Sequence, residues 1–144
     1  KFTNYEEGMK YAKEHQKPVV VDFTGYGCVN CRKMESTVWN NTEVSSLLSD
    51  DFVLISLFVD DKRKLTEPIT IIENGKEKKL RTIGEKWSYL QRHKFGANAQ
   101  PYYVILNNNG EVLSKPFAYT ENSIEFIQFL KNGLNNAQNV KITK

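Results

Sequence analysis

Apolar positions in this chain fall into runs of two kinds, and each kind predicts a different element. Val19-Val20-Val21-Asp22-Phe23 and residues 52–59 are short and almost wholly apolar, the pattern of strands buried on both faces. Residues 102–106 form a third such run, which Asn107-Asn108-Asn109-Gly110 turns into a partner strand at 111–114. The other kind is spaced at three and four. It predicts a first helix over 4–14, with Thr3 and Glu6 at capping-box spacing and Phe2 as a staple, broken by Lys17-Pro18. Further helices are predicted over 28–38, from Asn41-Thr42 to 48, and over 85–95 with Trp87, Leu90 and Phe95 inward and Gly96 as the stop. A closing helix opens at Thr120-Glu121 and carries Ile124, Ile127, Phe129 and Leu130 toward the core. Asp60-Asp61 ends the second strand, and residues 62–83 are a polar excursion. Asn74-Gly75, flanked by 69–72 and 79–83, predicts a β-hairpin insert around residues 67–83.

The order of elements implies one α/β domain over 1–144, a central mixed β-sheet flanked by helices, with a polar tail at 135–144 expected to fray. At 144 residues the chain is long enough to bury a real core. Its net charge of +3 is mild, and Lys and Arg are scattered rather than gathered in a stripe, which argues against nucleic acid as a partner. The densest basic stretch, Lys76-Glu77-Lys78-Lys79-Leu80-Arg81, is interrupted by an acid and reads as a solvated face. No apolar run approaches the ~20 residues that span a bilayer. Lys1 is not an initiator Met and no signal-peptide pattern follows it, so the chain reads as a piece of a longer protein.

The two cysteines, Cys28 and Cys31, are three apart. A bridge closing so short a loop removes little chain entropy, so reactivity is a better reason for the pair than stabilisation. Zinc would need two more ligands, and His15 and His93 lack the spacing of a finger. Gly25 and Gly27 turn the chain out of the first strand so that Cys28 opens a helix. There, unpaired backbone N–H groups and the helix dipole favour the thiolate. Cys28 is therefore the expected nucleophile, and Cys31, one turn inward, the resolving thiol.

Two carboxylates stand at suggestive offsets. Asp22, six residues before Cys28, is either a partly buried acid with a raised pKa or a turn carboxylate. Glu35, four residues after Cys31, shares its helix face or belongs to a solvated one. In the functional reading either exchanges protons with Cys31, and their charge raises the pKa of Cys28. Pro101, before a strand, fits a trans proline at a strand start or a cis Gln100-Pro101 bond. Tyr26 either shields the dithiol or simply packs.

Asp22-Phe23, then Cys28-x-x-Cys31, then Gln100-Pro101 about seventy residues on, resembles thioredoxin across nearly the whole chain. The resemblance implies the thioredoxin fold and a cis Pro101 beside the dithiol, with Gln100 facing substrate. Tyr26, Val29 and Asn30 complete the expected substrate-facing set. Lys17-Pro-Val-Val-Val-Asp-Phe, Gly27-Cys-Val-Asn-Cys-Arg-Lys-Met-Glu35 and the stretch 39–44 are similar to the C-terminal periplasmic domain of the DsbD thiol:disulfide interchange family. That likeness assigns proton transfer and pKa tuning to Asp22 and Glu35. It implies a monomeric protein-disulfide reductase on the periplasmic side of a bacterial inner membrane. Electrons would arrive from a membrane-embedded domain of the same polypeptide. They would leave to an N-terminal periplasmic domain, then to disulfide-containing proteins, supporting cytochrome c maturation and disulfide isomerisation. No metal, nucleotide or flavin is expected; the Cys28–Cys31 couple is the redox group. Three departures stand out: Gly27 replaces the aromatic usual before the first cysteine, Gln100 replaces a β-branched or small residue, and the 62–83 insert is longer than in thioredoxin. Two rival readings use the same residues, a free-standing thioredoxin-like reductase or oxidase and a redox-inert interaction module.

Overall fold

The structure, a computed structural model, describes residues 1–142. Its centre is a three-stranded sheet in the order β2-β1-β5, formed by β1 (Val19–Thr24), β2 (Val53–Phe58) and β5 (Tyr102–Leu106). β1 runs parallel to β2 and antiparallel to β5, so the sheet is mixed as expected. All six residues of β1 are buried, as expected of a middle strand covered on both faces.

Strand alternation divides the core between two faces of this sheet. Val19, Val21 and Phe23 pack with Ile55, Leu57, Val104 and Leu106 beneath α1 (Tyr5–His15) and α4 (Ile83–Phe95), with Ala12 and Trp87 as the buried helical contributions. Val20, Tyr103 and Ile105 pack with Met34 of α2 (Val29–Ser36), Val44 of α3 (Thr42–Ser46) and Phe126 and Leu130 of α5 (Ser123–Ile142). Asp22 and Thr24 share the parity of Val20 and so face α2.

Local signals explain most boundaries, and several differ from the sequence reading. Asn4, not Thr3, caps α1, its Oδ1 accepting the Glu7 N–H at 3.0 Å. Phe2 is drawn instead into an edge bridge with Ile55, its N–H donating to the Leu54 carbonyl. α2 ends at Ser36, and a single 3₁₀ turn over Val38–Asn40 follows. Thr82 caps α4 in a full capping box with Glu85, so the strand expected to reach residue 83 stops one residue earlier. Gly96 ends α4 in the left-handed region at φ 66°. Residues 111–114 do not form a strand; only the isolated bridges Leu106–Val112 and Tyr103–Phe117 join this segment to β5. Ile124 is 76% exposed, and Phe126 takes the buried position on α5. The helix continues to Ile142, tied by the Asn136 side-chain amide donating to the Leu113 carbonyl, so the expected frayed tail is helical as far as described. Residues 143 and 144 lie outside the described residues.

The insert forms the expected hairpin, longer than predicted: β3 (Lys64–Glu73) pairs antiparallel with β4 (Lys76–Thr82) and, among the described residues, with no other strand. Asn74 and Gly75 both have positive φ, the requirement of a tight two-residue turn between twisted strands. Ile71 and Leu80 are buried, and the Arg92 guanidinium of α4 grips the Glu73 carboxylate with two hydrogen bonds, at 2.7 and 3.0 Å.

Candidate active site

The path from β1 to α2 is held by a residue far along the chain. Asp60, two residues beyond β2, accepts the Tyr26 N–H on Oδ1 at 2.8 Å and the Gly27 N–H on Oδ2 at 3.0 Å. A carboxylate taking two backbone donors fixes the turn more firmly than a neutral acceptor would. Gly25 suits the same contact, since a Cβ there would stand 3.2 Å from the Asp60 carboxylate and press on the clamp. The chain then closes a turn, with the Cys28 N–H reaching the Gly25 carbonyl at 3.2 Å.

Cys28 is the N-cap of α2: its backbone is extended and its sulfur accepts the Cys31 N–H at 3.2 Å. The sulfur thus occupies the place where capping oxygens satisfy orphan donors, so anionic charge on it meets an N–H and the positive end of the helix. Cys28 and Cys31 are joined by a disulfide across a Cα separation of 5.2 Å. Cys28 is partly accessible, whereas Cys31 is 1% exposed, so a partner reaches one sulfur and not the other. Val29, at 72% exposure, and Asn30 stand open beside the pair. Tyr26 lies stacked on Phe58, ring centroids 4.1 Å apart, and still presents an exposed face.

Beneath α2 the sheet also carries three buried polar side chains, Asp22, Thr24 and Ser56. Asp22 is 1% exposed and accepts the Ser56 hydroxyl at 2.9 Å, Ser56 being its register partner on β2. Burial pushes the Asp22 pKa up to about 7, against the Ser56 hydrogen bond; the Glu35 charge pushes the same way, while Lys1 and Arg32 oppose. Tyr103, opposite Asp22 on β5, has its phenol pKa raised by burial and then by the Asp22 charge. Glu35 is half-buried and holds the Arg32 guanidinium at 2.7 Å; the same Nη2 donates to the Thr24 hydroxyl at 3.0 Å. Arg32 therefore fastens α2 to the end of β1 and places its charge over the Phe58 ring, 5.8 Å from the centroid.

The Gln100–Pro101 peptide is cis. Phe23 pairs with Tyr102 across the sheet, so Pro101 stands at the end of β5 nearest Thr24 and the dithiol turn. The Gln100 side chain is turned toward α4: its amide donates to Gln91 Oε1 at 2.9 Å, while Gln91, fully buried, donates to the Ala99 carbonyl. His15 and His93 stack on Tyr11 and Tyr89 of their own helices, away from one another in sequence and role.

Asp60, Arg32, Ser56, Thr24 and Gln91 escaped the sequence reading. Ser56 carried a signal, as the one hydroxyl inside the apolar run 52–59. Asp60 and Arg32 did not, because an acid after a strand and a base on a short helix are ordinary features of a surface.

Residues 5–133 match the family profile described as "Thioredoxin-like domain". The chain belongs to that family. No curated protein matches it in sequence. Among solved structures, the thioredoxin-like domain superposes on the oxidoreductase DsbH with a TM-score of 0.68 at 15% identity, covering 94% of this chain and 84% of that one. The DsbD C-terminal domain of Neisseria meningitidis, in its reduced form, gives 0.64 at 18% identity, with 92% and 99% covered. A thioredoxin from Thermus thermophilus gives 0.64 at 20%, with 91% and 84% covered. At these identities the likeness is one of fold. No helix among the described residues is long and apolar enough to cross a membrane.

Proposed function

We propose that this thioredoxin-like domain is a protein-disulfide reductase that relays electrons by dithiol–disulfide exchange. The observation that carries the reading is the asymmetry of the pair: an accessible Cys28 sulfur capping α2 and a buried Cys31 sulfur one turn behind it. In the reduced protein the Cys28 thiolate attacks a partner disulfide. The partner S–S bond breaks, a Cys28–partner disulfide forms, and the departing sulfur takes up a proton. Cys31 then loses its proton and attacks Cys28, closing the Cys28–Cys31 bond and releasing the second partner thiol. Two electrons and two protons pass to the partner. In this reading Asp22, its pKa raised by burial to about 7, and Glu35 receive the Cys31 proton. No metal, nucleotide or flavin takes part.

Similarity of the Cys-Val-Asn-Cys segment and its flanks to the DsbD family supports the finer reading. There the donor is a membrane-embedded domain of the same polypeptide, and the acceptors are an N-terminal domain and further disulfide proteins on the periplasmic side of a bacterial inner membrane. Gln100 and Pro101 would present backbone groups to the incoming chain, with Tyr26, Val29 and Asn30 at its rim. Replacing Cys31 with alanine should leave Cys28 in a stable mixed disulfide with a peptide disulfide under mildly reducing conditions, visible by mass spectrometry; no adduct would overturn the exchange reading. Equilibration with glutathione tests direction. A reducing relay requires a potential near the thioredoxin value of about −270 mV, and a result near about −120 mV would make the domain an oxidant.

A further inference from the structure

The β3–β4 hairpin concentrates charge that the rest of the molecule lacks. Residues 62–82 hold seven Lys or Arg against three Glu, a net +4, whereas the whole chain carries +3. Only two of the seven form ion pairs among the described residues, Arg63 with Asp61 and Lys78 with Glu73. Lys62, Lys64, Lys76 and Lys79 are exposed and have no such partner.

The hairpin is also built to stay put while one side remains open. Ile71 and Leu80 are buried, and the Glu73–Arg92 pair locks its far end to α4. The opposite face shows Thr70 paired with Lys79 and Ile72 paired with Glu77, and Ile72 is 71% exposed. Because β3 and β4 pair only with each other, each keeps a strand edge free of strand partners. Its root adjoins the dithiol turn: Asp60, which holds the Tyr26 and Gly27 N–H groups, precedes Lys62 by two residues. Asp61 fastens that root through the Arg63 guanidinium and by accepting the Arg63 N–H. A ten-residue strand reaches on the order of 30 Å from this root.

We infer that this hairpin is a docking arm that selects the protein partner of Cys28, and that the partner is a polypeptide segment carrying acidic residues beside its disulfide. The inference rests on the exchange chemistry proposed above. Lysines without an ion-pair partner among the described residues attract such a segment, and the open edge and Ile72 give it a surface to settle on. Polypeptide is favoured over a lipid surface because the arm is rooted beside a sulfur whose chemistry is exchange with another disulfide.

The test uses the reduced protein and two 13-residue peptides, each with a central cysteine in disulfide linkage to thionitrobenzoate. One has Asp and Glu around the cysteine, the other Ser and Gly. The acidic peptide should react at least about tenfold faster at low ionic strength, an advantage that fades at high salt. Reversing Lys64, Lys76 and Lys79 to Glu should abolish it, and Lys-to-Gln changes at the same positions should reduce it. Reversing Lys10, Lys13 and Lys115, which matches the change in net charge, should leave most of it. Equal rates for the two peptides, or a preference lost equally in both reversal variants, would overturn the arm. Arm-dependent sedimentation with phosphatidylglycerol vesicles, without any peptide preference, would overturn it in favour of a lipid surface. Neutral 2,2′-dithiodipyridine separates the two proposals: failure of the wild-type protein to react with it would count against the exchange chemistry, not the arm.

Discussion

The two faces of the central sheet are made by neighbouring residues of the same strands, yet they do different work. On the α1/α4 side, Val19, Val21 and Phe23 meet Ile55, Leu57 and Val104 in an apolar cluster that α4 closes with Trp87. On the α2 side the same strands supply Asp22, Thr24 and Ser56, with Arg32 and Glu35 reaching down from the helix that Cys28 caps. Alternation confines the polar chemistry to one face, where it sits beside the apolar cluster of Val20, Tyr103 and Ile105 with Met34, Phe126 and Leu130. The acid buried on that face, Asp22, has the Ser56 hydroxyl as its hydrogen-bond partner.

If that division is right, substitutions on the two faces should separate stability from exchange. The largest effect is expected from Ile55→Ala on the apolar side, where Ile55 is fully buried. It should lower unfolding free energy by about 2–5 kcal/mol in denaturant titration, with the exchange rate of the folded fraction nearly unchanged.

Asp22→Asn should act in the opposite sense. The folded pKa of about 7 lies above the ordinary value of 3.8, so the contribution of Asp22 to stability is full below pH 3.8 and is lost as pH rises to about 7. The variant should therefore be more stable than wild type at pH 8, by about 2–4 kcal/mol, and gain little at pH 4. Its exchange with a peptide disulfide should slow at least about tenfold, and the rate should lose its inflection near pH 7. A variant that gains no stability at pH 8 would show Asp22 to be better solvated than its 1% exposure indicates.

Asp60→Ala should give the smallest change, about 1–2 kcal/mol in stability from two backbone donors returned to solvent. Because those donors flank the dithiol turn, the same variant should slow attack by Cys28 a few-fold, measured with a neutral small disulfide.

The legible parts of this protein were those whose causes are close together in sequence. Cys28-Val29-Asn30-Cys31 needs only one helical turn, and the hairpin turn needs only Asn74-Gly75. The burial of Asp22 was legible because apolar neighbours surround it on one strand. Isomer choice at Gln100–Pro101 has no local cause, and the resemblance to thioredoxin, not the dipeptide, pointed to cis. Glu111 to Ser114 had the composition of a hairpin strand, but its segment meets β5 only through isolated bridges. Gln100 was expected to face substrate, and its side chain turns to a buried glutamine on α4 that no local pattern marks.

From its sequence alone the chain fixed the order of elements apart from the strand expected at 111–114, and it fixed the reactive pair and its place at a helix start, because periodicity, capping and i,i+3 spacing act within a few bonds. Only the tertiary structure decided that Asp60 would clamp the turn before Cys28, that Arg32 would tie Glu35 to Thr24, and that a basic hairpin would be rooted beside the sulfur. Those arrangements join positions separated by up to 34 residues, and the parallel register of β1 on β2 that brings them together is a property of the packed core.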